Sequence, residues 1–480
     1  MKKIFVYISA LVLATSCSDL DSLNSDPKKA LVVPGEMVFS AAEKSLFDLM
    51  TSNNVNTNVF RLLAQQQSQV TYLDESRYDL ASRNVPQSFW HGMYRDVLKD
   101  LYTSKSLIEG VPALSDADQV VKENKLAIID ITEVYAYFVL VTAFGDLPYT
   151  GAFDVASLSP AYDNQKTVYL DLLTRLKADV EKLETAQGSF GSQDLVYGGD
   201  VSKWVKFANS LRLKMGLIAL EDAATAAAGT TAINESAGNV ISSNADNFRL
   251  QYLPVQPNTN PIWIDLVQSN RADYVPANTL VNLMNSVNDP RRPFYFTAVG
   301  GAYVGGVYGS GADYETTSHI SAKVTAADFE ALLIDYAEVE FALAEAAARG
   351  GLTVTGTPAE HYTAGITASI KYWGGSDAQV AAYLLQPSVA YATATGTWQQ
   401  KIGTQKYIAL YNRGYDAWTE WRRFNFPVFN VPTGMTYANI PVRLTYPVSE
   451  QNLNKGNYDK ASAALGTGGD ALSTKLFWDK

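Results

Sequence analysis

The residues of this chain best suited to contact a ligand are aromatic side chains in segments rich in glycine, asparagine and proline. Tyr303 and Tyr308 punctuate the glycine-rich stretch 299–314, Tyr72 follows the polar run "LAQQQSQV", and Trp263 follows "NTNPI". Exposed rings of this kind suit stacking on the apolar faces of sugars. They equally suit binding of hydrophobic peptides, or packing of the loops on the body of the protein. The sequence leaves all three roles open.

Trp263 is the best single candidate for a stacking residue. Pro257 and Pro261 stiffen its segment, which lowers the cost of ordering a loop around a ligand. The polar neighbours able to bond sugar hydroxyls are Asn258, Asn260, Asp265 and Gln268. The alternative is that Trp263 caps the hydrophobic core beneath residues 244–275. The three tyrosines would border the same site only if the fold brings residues near 70, 260 and 305 together.

Side-chain sets for known catalytic chemistry do not stand out in the sequence. His91, His319 and His361 lie far apart and form no HExxH pattern, and neither GxSxG nor GxxxxGK[ST] occurs. The stretch "GTGGDA" near the C-terminus fits a dinucleotide pattern only nominally, because no strand precedes it. We therefore expect no catalytic residue, no cofactor and no metal site. The 49 acidic residues keep one alternative open, a surface glycan-cleaving enzyme of mainly helical fold with a carboxylate pair.

The N-terminus resembles a bacterial lipoprotein processing signal. A basic start, "MKK", precedes the apolar residues 4–15, and a small residue then precedes the single cysteine, Cys17. About a dozen apolar residues are too few to span a bilayer as a mature helix. We expect Cys17 to become the lipidated N-terminus and to hold the protein on a membrane. The predicted segments are a signal peptide over 1–16, a lipidated flexible tether over 17–30 and a single domain over 31–480.

Composition excludes several classes of partner and site. Removal of the signal would leave 36 basic against 49 acidic residues, a formal charge of −13, which argues against a nucleic-acid partner. One cysteine permits neither a disulfide framework nor a cysteine-based zinc site.

Apolar residues at helical spacing predict a mainly α-helical domain. Three helices have clear start signals at Ser115, Thr325 and Thr357, and are expected to run to Gly145, Gly350 and about residue 373. The other predicted helices cover residues 35–50, 55–70, 87–107, 167–187 and 202–223. A helix, a turn and a second helix within about 45 residues is the unit of helical-repeat proteins. Irregular segments over 244–275, 290–322 and 425–460 separate the helices, with short strands expected in patches such as "RLTYPV".

The stretch "QKYIALYNRGYDAWTEWRRFNFP", residues 405–427, concentrates aromatic side chains near the C-terminus. Tyr407, Tyr411, Tyr415 and Trp418 follow one another at spacings of four, four and three residues, so one helical face would carry all four rings. A face of that width packs against a core more often than it binds ligand. Because a glycine interrupts the stretch, one helix and two helices meeting near residue 412 are equally compatible with it.

Five stretches together resemble the SusD/RagB family of outer-membrane nutrient-binding lipoproteins, and within it the SusD-like proteins. They are "AFGDLPYTGAF" (143–153), "WVKFANSLRLKMGL" (204–217), "NDPRRPFY" (288–295), "YAEVEFALAEAAARG" (336–350) and the 405–427 stretch. The resemblance implies tetratricopeptide-like helix pairs with long irregular loops and a few short strands. It also implies a lipid-anchored protein on the surface of a Gram-negative bacterium.

The resemblance further implies a binding protein without enzymatic activity. Such proteins act as the lid of a SusC-like TonB-dependent transporter and capture oligosaccharides, or in some members peptides. Because the family carries the 405–427 stretch across members with different ligands, that stretch is expected to be scaffold. Ligand contacts are then expected in the loops, with Trp263, Tyr72, Tyr303 and Tyr308 as candidates. A periplasmic helical-repeat scaffold is a third reading, which the lipoprotein signal disfavours.

Overall fold

The computed structural model describes residues 33–479, and the predicted signal peptide, the tether and Cys17 lie outside them. The helices before residue 290 are α1 (Gly35–Thr51), α2 (Phe60–Leu63), α3 (Val85–His91), α4 (Lys99–Glu109), α5 (Asp116–Phe144), α6 (Gln165–Lys182), α7 (Val201–Ala219), α8 (Ala226–Ser236), α9 (Pro261–Trp263) and α10 (Asn278–Ser286). Those after it are α11 (Arg292–Tyr295), α12 (Tyr336–Arg349), α13 (Pro358–Trp373), α14 (Asp377–Leu384), α15 (Trp398–Ala409), α16 (Gly414–Phe424), α17 (Val448–Leu453) and α18 (Lys455–Ala464). The strands are β1 (Gln67–Gln69), β2 (Phe248–Leu250), β3 (Tyr274–Pro276) and β4 (Ala331–Ile334).

Successive helices pack as pairs, which confirms the predicted mainly α-helical, tetratricopeptide-like architecture. The most extensive packing joins α12 to α13, α7 to α8, and α5 to α6. Two small antiparallel sheets, β1 with β3 and β2 with β4, tie distant segments together between the helices. One π-helical turn, Gly92–Leu98, links α3 to α4, and another, Ile264–Gln268, continues α9.

Helix α5 is the central core element. It begins where the sequence predicts, because the Ser115 side chain accepts a hydrogen bond from the Asp118 backbone N–H at 3.1 Å. It ends at Gly145, whose φ of +93° is one that residues with a Cβ rarely adopt. By length and hydropathy α5 resembles a membrane span, but 89% of its most apolar window is buried inside the protein. We therefore assign it to the core.

The prediction of a helix over 55–70 is wrong outside residues 60–63. Only α2 is helical there, and Gln65 leaves the helix with a φ of +51°. The Gln65 side chain is held by residues far along the chain: it donates to the Asn430 carbonyl and accepts from Thr279 Oγ1 at 2.6 Å. Pairing of β1 with β3 then makes residues 67–69 extended. Tertiary partners thus override the local helical pattern.

The predicted helix start at Thr325 is also wrong. Residues 331–334 form β4, which pairs with β2, and the helix starts only at Tyr336. Its N-terminal cap is Asp335, whose Oδ1 accepts from the Glu338 backbone N–H at 2.9 Å. The apolar run "ALLI" is compatible with either structure, and the partner strand decides between them. The "RLTYPV" patch, in contrast, forms no strand.

The 405–427 stretch forms two helices, α15 and α16, and its rings are buried. Tyr407, Tyr411, Tyr415 and Trp418 are between 0 and 4% exposed, which confirms the core role over a ligand platform. Gly414 begins the second helix where a Cβ would come within 2.3 Å of a backbone nitrogen of α2. Only glycine permits this close approach of the two backbones.

A buried network of charges joins three of the core helices. Arg413 Nη1 lies 3.0 Å from Asp335 Oδ1, its Nη2 lies 2.7 Å from Asp416 Oδ2, and it also bonds Glu338. Lys214 of α7 pairs with Glu338 at 2.8 Å and with Asp416. Burial alone would raise the pKa of Glu338, but the charges of Arg413 and Lys214 outweigh it and lower the pKa to about 2.

Two neighbouring carboxyl groups, Asp130 of α5 and Asp179 of α6, should make the stability of the fold depend on pH. Burial, reinforced by the neighbouring Asp130 charge and their hydrogen bond, raises the pKa of Asp179 to about 8. The folded protein therefore keeps a proton that the unfolded chain releases near pH 4. This stabilising contribution is complete below about pH 4 and is lost as the pH rises to about 8.

We expect Asp179→Asn, which imitates the protonated form, to remove this dependence. The variant should gain about 3–4 kcal/mol relative to the parent between pH 5 and pH 8, as measured by urea unfolding at both pH values. Asp459→Asn, at an exposed carboxylate, is the control. If the free energies of unfolding of the parent and of Asp179→Asn differed by the same amount at pH 5 and at pH 8, the pair would hold no extra proton.

Candidate functional site

A cleft of about 280 Å³ opens where loops from distant parts of the chain meet. We call it the Tyr72 cleft, and its lining residues are 53–56, Gln69, Thr71, Tyr72, Arg83, Ile264, Asp265, Ser269, Arg271, Asp273 and Tyr274. The β1–β3 ladder builds its floor, because it places Gln69 opposite Tyr274. The loops beyond α1 and after α9 close the sides.

The fold does bring the segments near 70, 260 and 305 together. Ser68 Oγ donates to the Val307 carbonyl at 3.2 Å, and the Ala312 N–H donates to the Gln69 carbonyl at 3.3 Å. Residues 264 and 265 line the same cleft as Tyr72. The sequence identified these loops, but only the pairing of β1 with β3 makes them neighbours.

Tyr72 is the aromatic side chain presented at this cleft. Its side chain is 63% exposed, and its backbone has a φ of +56°. This left-handed conformation costs roughly 1–2 kcal/mol for a residue with a Cβ. The Arg83 guanidinium lies 5.7 Å from the ring centroid, and Arg83 is itself held by the buried Glu75 at 2.8 Å. Strained, pre-positioned residues of this kind concentrate at binding sites.

The polar walls of the cleft combine amides and charged groups. Asp265 lies in the π-helical turn, and its Oδ2 accepts from the Asn53 N–H at 2.9 Å and from Ser52 Oγ at 3.2 Å. Burial raises the pKa of Asp265 above its usual range. Opposite, Arg271 pairs with Asp273. Neutral amides beside paired charges suit hydrogen bonds to several hydroxyl groups.

Trp263 precedes the cleft wall without lining it. Its side chain is half-buried, and among the described residues Ile264 and Asp265 face the cleft in its place. Of its predicted polar neighbours, Asn260 is buried and caps α9, and Gln268 accepts from Gln256 at 2.8 Å. Asp265 alone of that group reaches the cleft. The stacking role of Trp263 stays a prediction.

The other two tyrosines lie elsewhere. Tyr308 is only 2% exposed and packs on Tyr78 with ring centroids 6.2 Å apart, which corrects its expected exposure. The loop turns its ring inward because Gly309, at a φ of +71°, lets the backbone pack closely against Pro432. Tyr303 is half-buried beside Arg292 and lines a different cleft.

Sequence reasoning missed several residues that line the Tyr72 cleft. Arg83 and the asparagines 53, 54 and 56 lie in segments that carry no aromatic signal. The composition of "TSNNVNTN", residues 51–58, was the available indication, because asparagine favours turns and its side-chain amide can both donate and accept hydrogen bonds. No cluster of three or more His, Cys, Asp or Glu side chains within residues 33–479 is arranged to hold a metal ion.

Two other depressions offer less chemistry. The cavity beside Arg413 has a volume of only about 20 Å³, enough for water but not for a sugar. A broad groove of about 670 Å³ runs along α13 over small residues such as Ala359, Thr363 and Thr367. It presents no exposed aromatic ring comparable to Tyr72.

Comparison with known proteins supports the fold and identifies the family. The SusD-like model described as "Starch-binding associating with outer membrane" matches residues 27–447. A solved SusD homologue from Bacteroides uniformis shares 24% identity at a TM-score of 0.78, covering 92% of this chain and 99% of its own.

Two similar structures are chitin-binding proteins. One shares 25% identity at a TM-score of 0.77 and covers 93% of this chain and 99% of its own. The other, from Flavobacterium johnsoniae, shares 24% identity at a TM-score of 0.77 and covers 92% and 98%. None of the curated protein sequences matches the chain. The family match over most of the chain, together with the helix pairs and the loop-built cleft, shows that this protein belongs to the SusD-like family.

Proposed function

We propose that the protein is a carbohydrate-binding lipoprotein of nutrient uptake that captures oligosaccharides in the Tyr72 cleft. The observation that carries the proposal is Tyr72 itself, an exposed ring held in a strained conformation at the rim of a polar cleft. Sugars need this combination, because their apolar faces stack on rings while their hydroxyls bond amides and charges. The family description and the chitin-binding relatives support the same ligand class.

In the cell, we propose that the protein acts at the outer surface as the lid of a SusC-like TonB-dependent transporter. The family description places its members in association with the outer membrane. Ligand captured by the lid would pass to the transporter without chemical change. Co-purification of such a transporter with the tagged protein from solubilised outer membranes tests this role.

The geometry of the cleft favours binding over glycan cleavage. Its two aspartates are both engaged: Asp265 accepts from Asn53 and Ser52, and Asp273 is paired with Arg271. A glycosidase instead needs one carboxyl group free to protonate the glycosidic oxygen and another to activate water or attack carbon. Incubation with a panel of glycans checks this, and release of shortened products would support the enzyme alternative.

We expect Tyr72→Ala to weaken oligosaccharide binding by roughly 5- to 150-fold, because one stacked ring contributes about 1–3 kcal/mol in comparable aromatic stacking. The melting temperature should stay unchanged, since the side chain is exposed. Isothermal titration with chitin- and starch-derived oligosaccharides measures the affinity.

Tyr102→Ala is the matched control, because Tyr102 is 44% exposed and lies outside the cleft. Trp263→Ala tests the remaining sequence prediction in the same assay. Equal affinity of Tyr72→Ala and the parent would contradict the proposed site. Binding of peptides in place of every glycan would change the ligand class while keeping the cleft.

We expect Cys17→Ala to release the protein from the membrane. The motivation is the lipoprotein-like signal ahead of Cys17, and two or more acyl chains are needed for stable anchoring. Fractionation of cells that lack the transporter measures the effect, with Ser16→Ala as the control. A Cys17→Ala protein that stays with the membranes would show that another device anchors it.

A further inference from the structure

A second cleft, of about 400 Å³, lies between the turn before α11 and helix α14. We call it the Arg292 cleft, and its lining residues are 288–290, Arg292, Pro293, Tyr303, Gln379, Ala382, Tyr383 and Gln386. Its volume falls in the range of small-ligand pockets. It shares no lining residue with the Tyr72 cleft.

The turn beneath this cleft directs two adjacent arginines to opposite sides. Arg291 points inward, where both it and Asp289 are fully buried and form two hydrogen bonds of 2.9 and 2.6 Å. Arg291 also donates to Ser369 and Gln405. Arg291 therefore neutralises the charge of Asp289 inside the protein. The Asp289 carboxylate does not offset the charge of Arg292.

Arg292 is held rigidly, and every acceptor that holds it is neutral. Its Nε donates to the Asp289 carbonyl at 3.1 Å, its Nη1 to Asn285 Oδ1 at 2.9 Å, and its Nη2 more weakly to Asn288 Oδ1 at 3.4 Å. The guanidinium lies 5.3 Å from the Tyr303 ring centroid. Asn285 also donates to the Tyr303 carbonyl at 2.9 Å, so it fixes both partners of this stack.

The charge of Arg292 is thus not offset by a neighbouring carboxylate of the described residues. No carboxylate within residues 33–479 forms an ion pair with it, although the chain as a whole is strongly acidic. A guanidinium has five N–H groups, and these three bonds leave one on each terminal nitrogen. Two such N–H groups on a planar, pre-positioned guanidinium match the two oxygens of a carboxylate.

We propose that the Arg292 cleft binds the carboxylate of an acidic sugar residue, a uronate, on a glycan. The rest of the lining favours a sugar over a peptide, because the amide side chains of Asn288, Gln379 and Gln386 surround the charge. The Gln379 Oε1 accepts a hydrogen bond from the Ser376 N–H. The N–H groups of the Gln379 amide therefore remain available to a sugar hydroxyl. Pro290 and Pro293 give the cleft rigid apolar walls.

The test compares trigalacturonate with its fully methyl-esterified form, which has the same backbone without the charge. With the mature chain, calorimetry should show the acid binding about 10- to 150-fold more tightly than the ester, the effect of hydrogen bonds to a charged group. Arg292→Gln should abolish this difference, and Arg292→Lys should restore it only in part, because lysine lacks the planar fork.

If Arg292→Gln disturbs the turn, Ala382→Glu provides a second test of whether the cleft binds a negative charge. Ala382 is an exposed residue of α14 on the cleft wall, so a new carboxylate there should repel the acid while Ala382→Gln leaves its affinity unchanged. Melting curves confirm that each variant is folded.

Three outcomes would overturn the binding of a carboxylate by Arg292 in this cleft. They are the absence of trigalacturonate binding at millimolar concentration, an acid–ester difference that survives Arg292→Gln, and loss of that difference in Tyr72→Ala. Preferential binding of triglutamate would overturn the assignment to a sugar. Chitin- or starch-oligosaccharide binding in the same preparation reports separately on the proposed function, so the two failures are distinguishable.

Discussion

Replacing Arg413 by methionine is expected to lower the free energy of unfolding by about 3–5 kcal/mol, one of the two largest effects anticipated for this protein. Arg413 is only 3% exposed at its side chain and contacts Asp335, Glu338 and Asp416. Lys214 would still compensate Glu338 and Asp416, but its ion pairs do not extend to Asp335. A buried carboxylate without a cation is the source of the loss.

The same substitution should show a characteristic pH dependence. Burial already raises the pKa of Asp335 with Arg413 in place, and removal of the cation should raise it further. A raised folded-state pKa means that stability is greatest at low pH and falls as the pH rises. The deficit of Arg413→Met should therefore shrink between pH 7 and pH 5.

Urea unfolding, followed by tryptophan fluorescence, measures both effects. The matched control is Arg95→Met, because Arg95 is 74% exposed and, within residues 33–479, its one ion pair is with its neighbour Asp96 at the surface. That change should stay within about 0.5 kcal/mol of the parent. A loss below about 1 kcal/mol for Arg413→Met would show that the network contributes little and that its carboxylates find other partners.

Trp418→Ala is expected to lower the free energy of unfolding by about 3–5 kcal/mol, the cost of removing a fully buried large aromatic side chain. Trp418 is 0% exposed, and its Nε1 donates to the Pro441 carbonyl at 2.8 Å. The Arg422 guanidinium lies 3.6 Å from its ring centroid and 4.4 Å from that of Trp478. Removing the Trp418 indole opens a cavity, and it also removes the aromatic ring that contacts one side of the buried Arg422 guanidinium.

Circular dichroism melting measures this effect without relying on the tryptophan signal. Trp418→Phe should lose less, because it keeps most of the buried area, and Tyr102→Ala is the surface control. At a temperature where Trp418→Ala remains folded, its oligosaccharide affinity should equal that of the parent. A selective loss of binding with an unchanged melting temperature would return the 405–427 stretch to the role of a ligand platform.

Helix starts with a local cap were predictable, since the cap is made within three residues. Ser115 and Thr357 each accept from the backbone N–H three positions later. The core role of the four rings was predicted correctly, but the single helical face was not: Tyr407 lies in α15, Tyr411 lies between the helices, and Tyr415 and Trp418 lie in α16. At Thr325 the same reasoning failed, because a strand partner about 80 residues away competes for residues 331–334.

The candidate binding site was predictable only in part. Tyr72 and Asp265 were identified from loop composition, and both line the same cleft. Tyr308 comes from an equally glycine-rich loop, yet its ring is buried. Composition reports where a loop is, whereas the direction of a side chain depends on what the loop packs against.

The sequence by itself determined the helical class, most of the helices, the buried aromatic signature and the resemblance to the SusD-like family. These follow from spacing and capping, which act over a few residues. Only the tertiary structure decided that residues 67–69 pair with 274–276, and thereby that Tyr72 and Asp265 face one cleft. The physical reason is the separation of the partners in sequence. A backbone hydrogen bond between strands about 200 residues apart produces no periodic pattern in either segment. It forms only when the surrounding core brings both strands together.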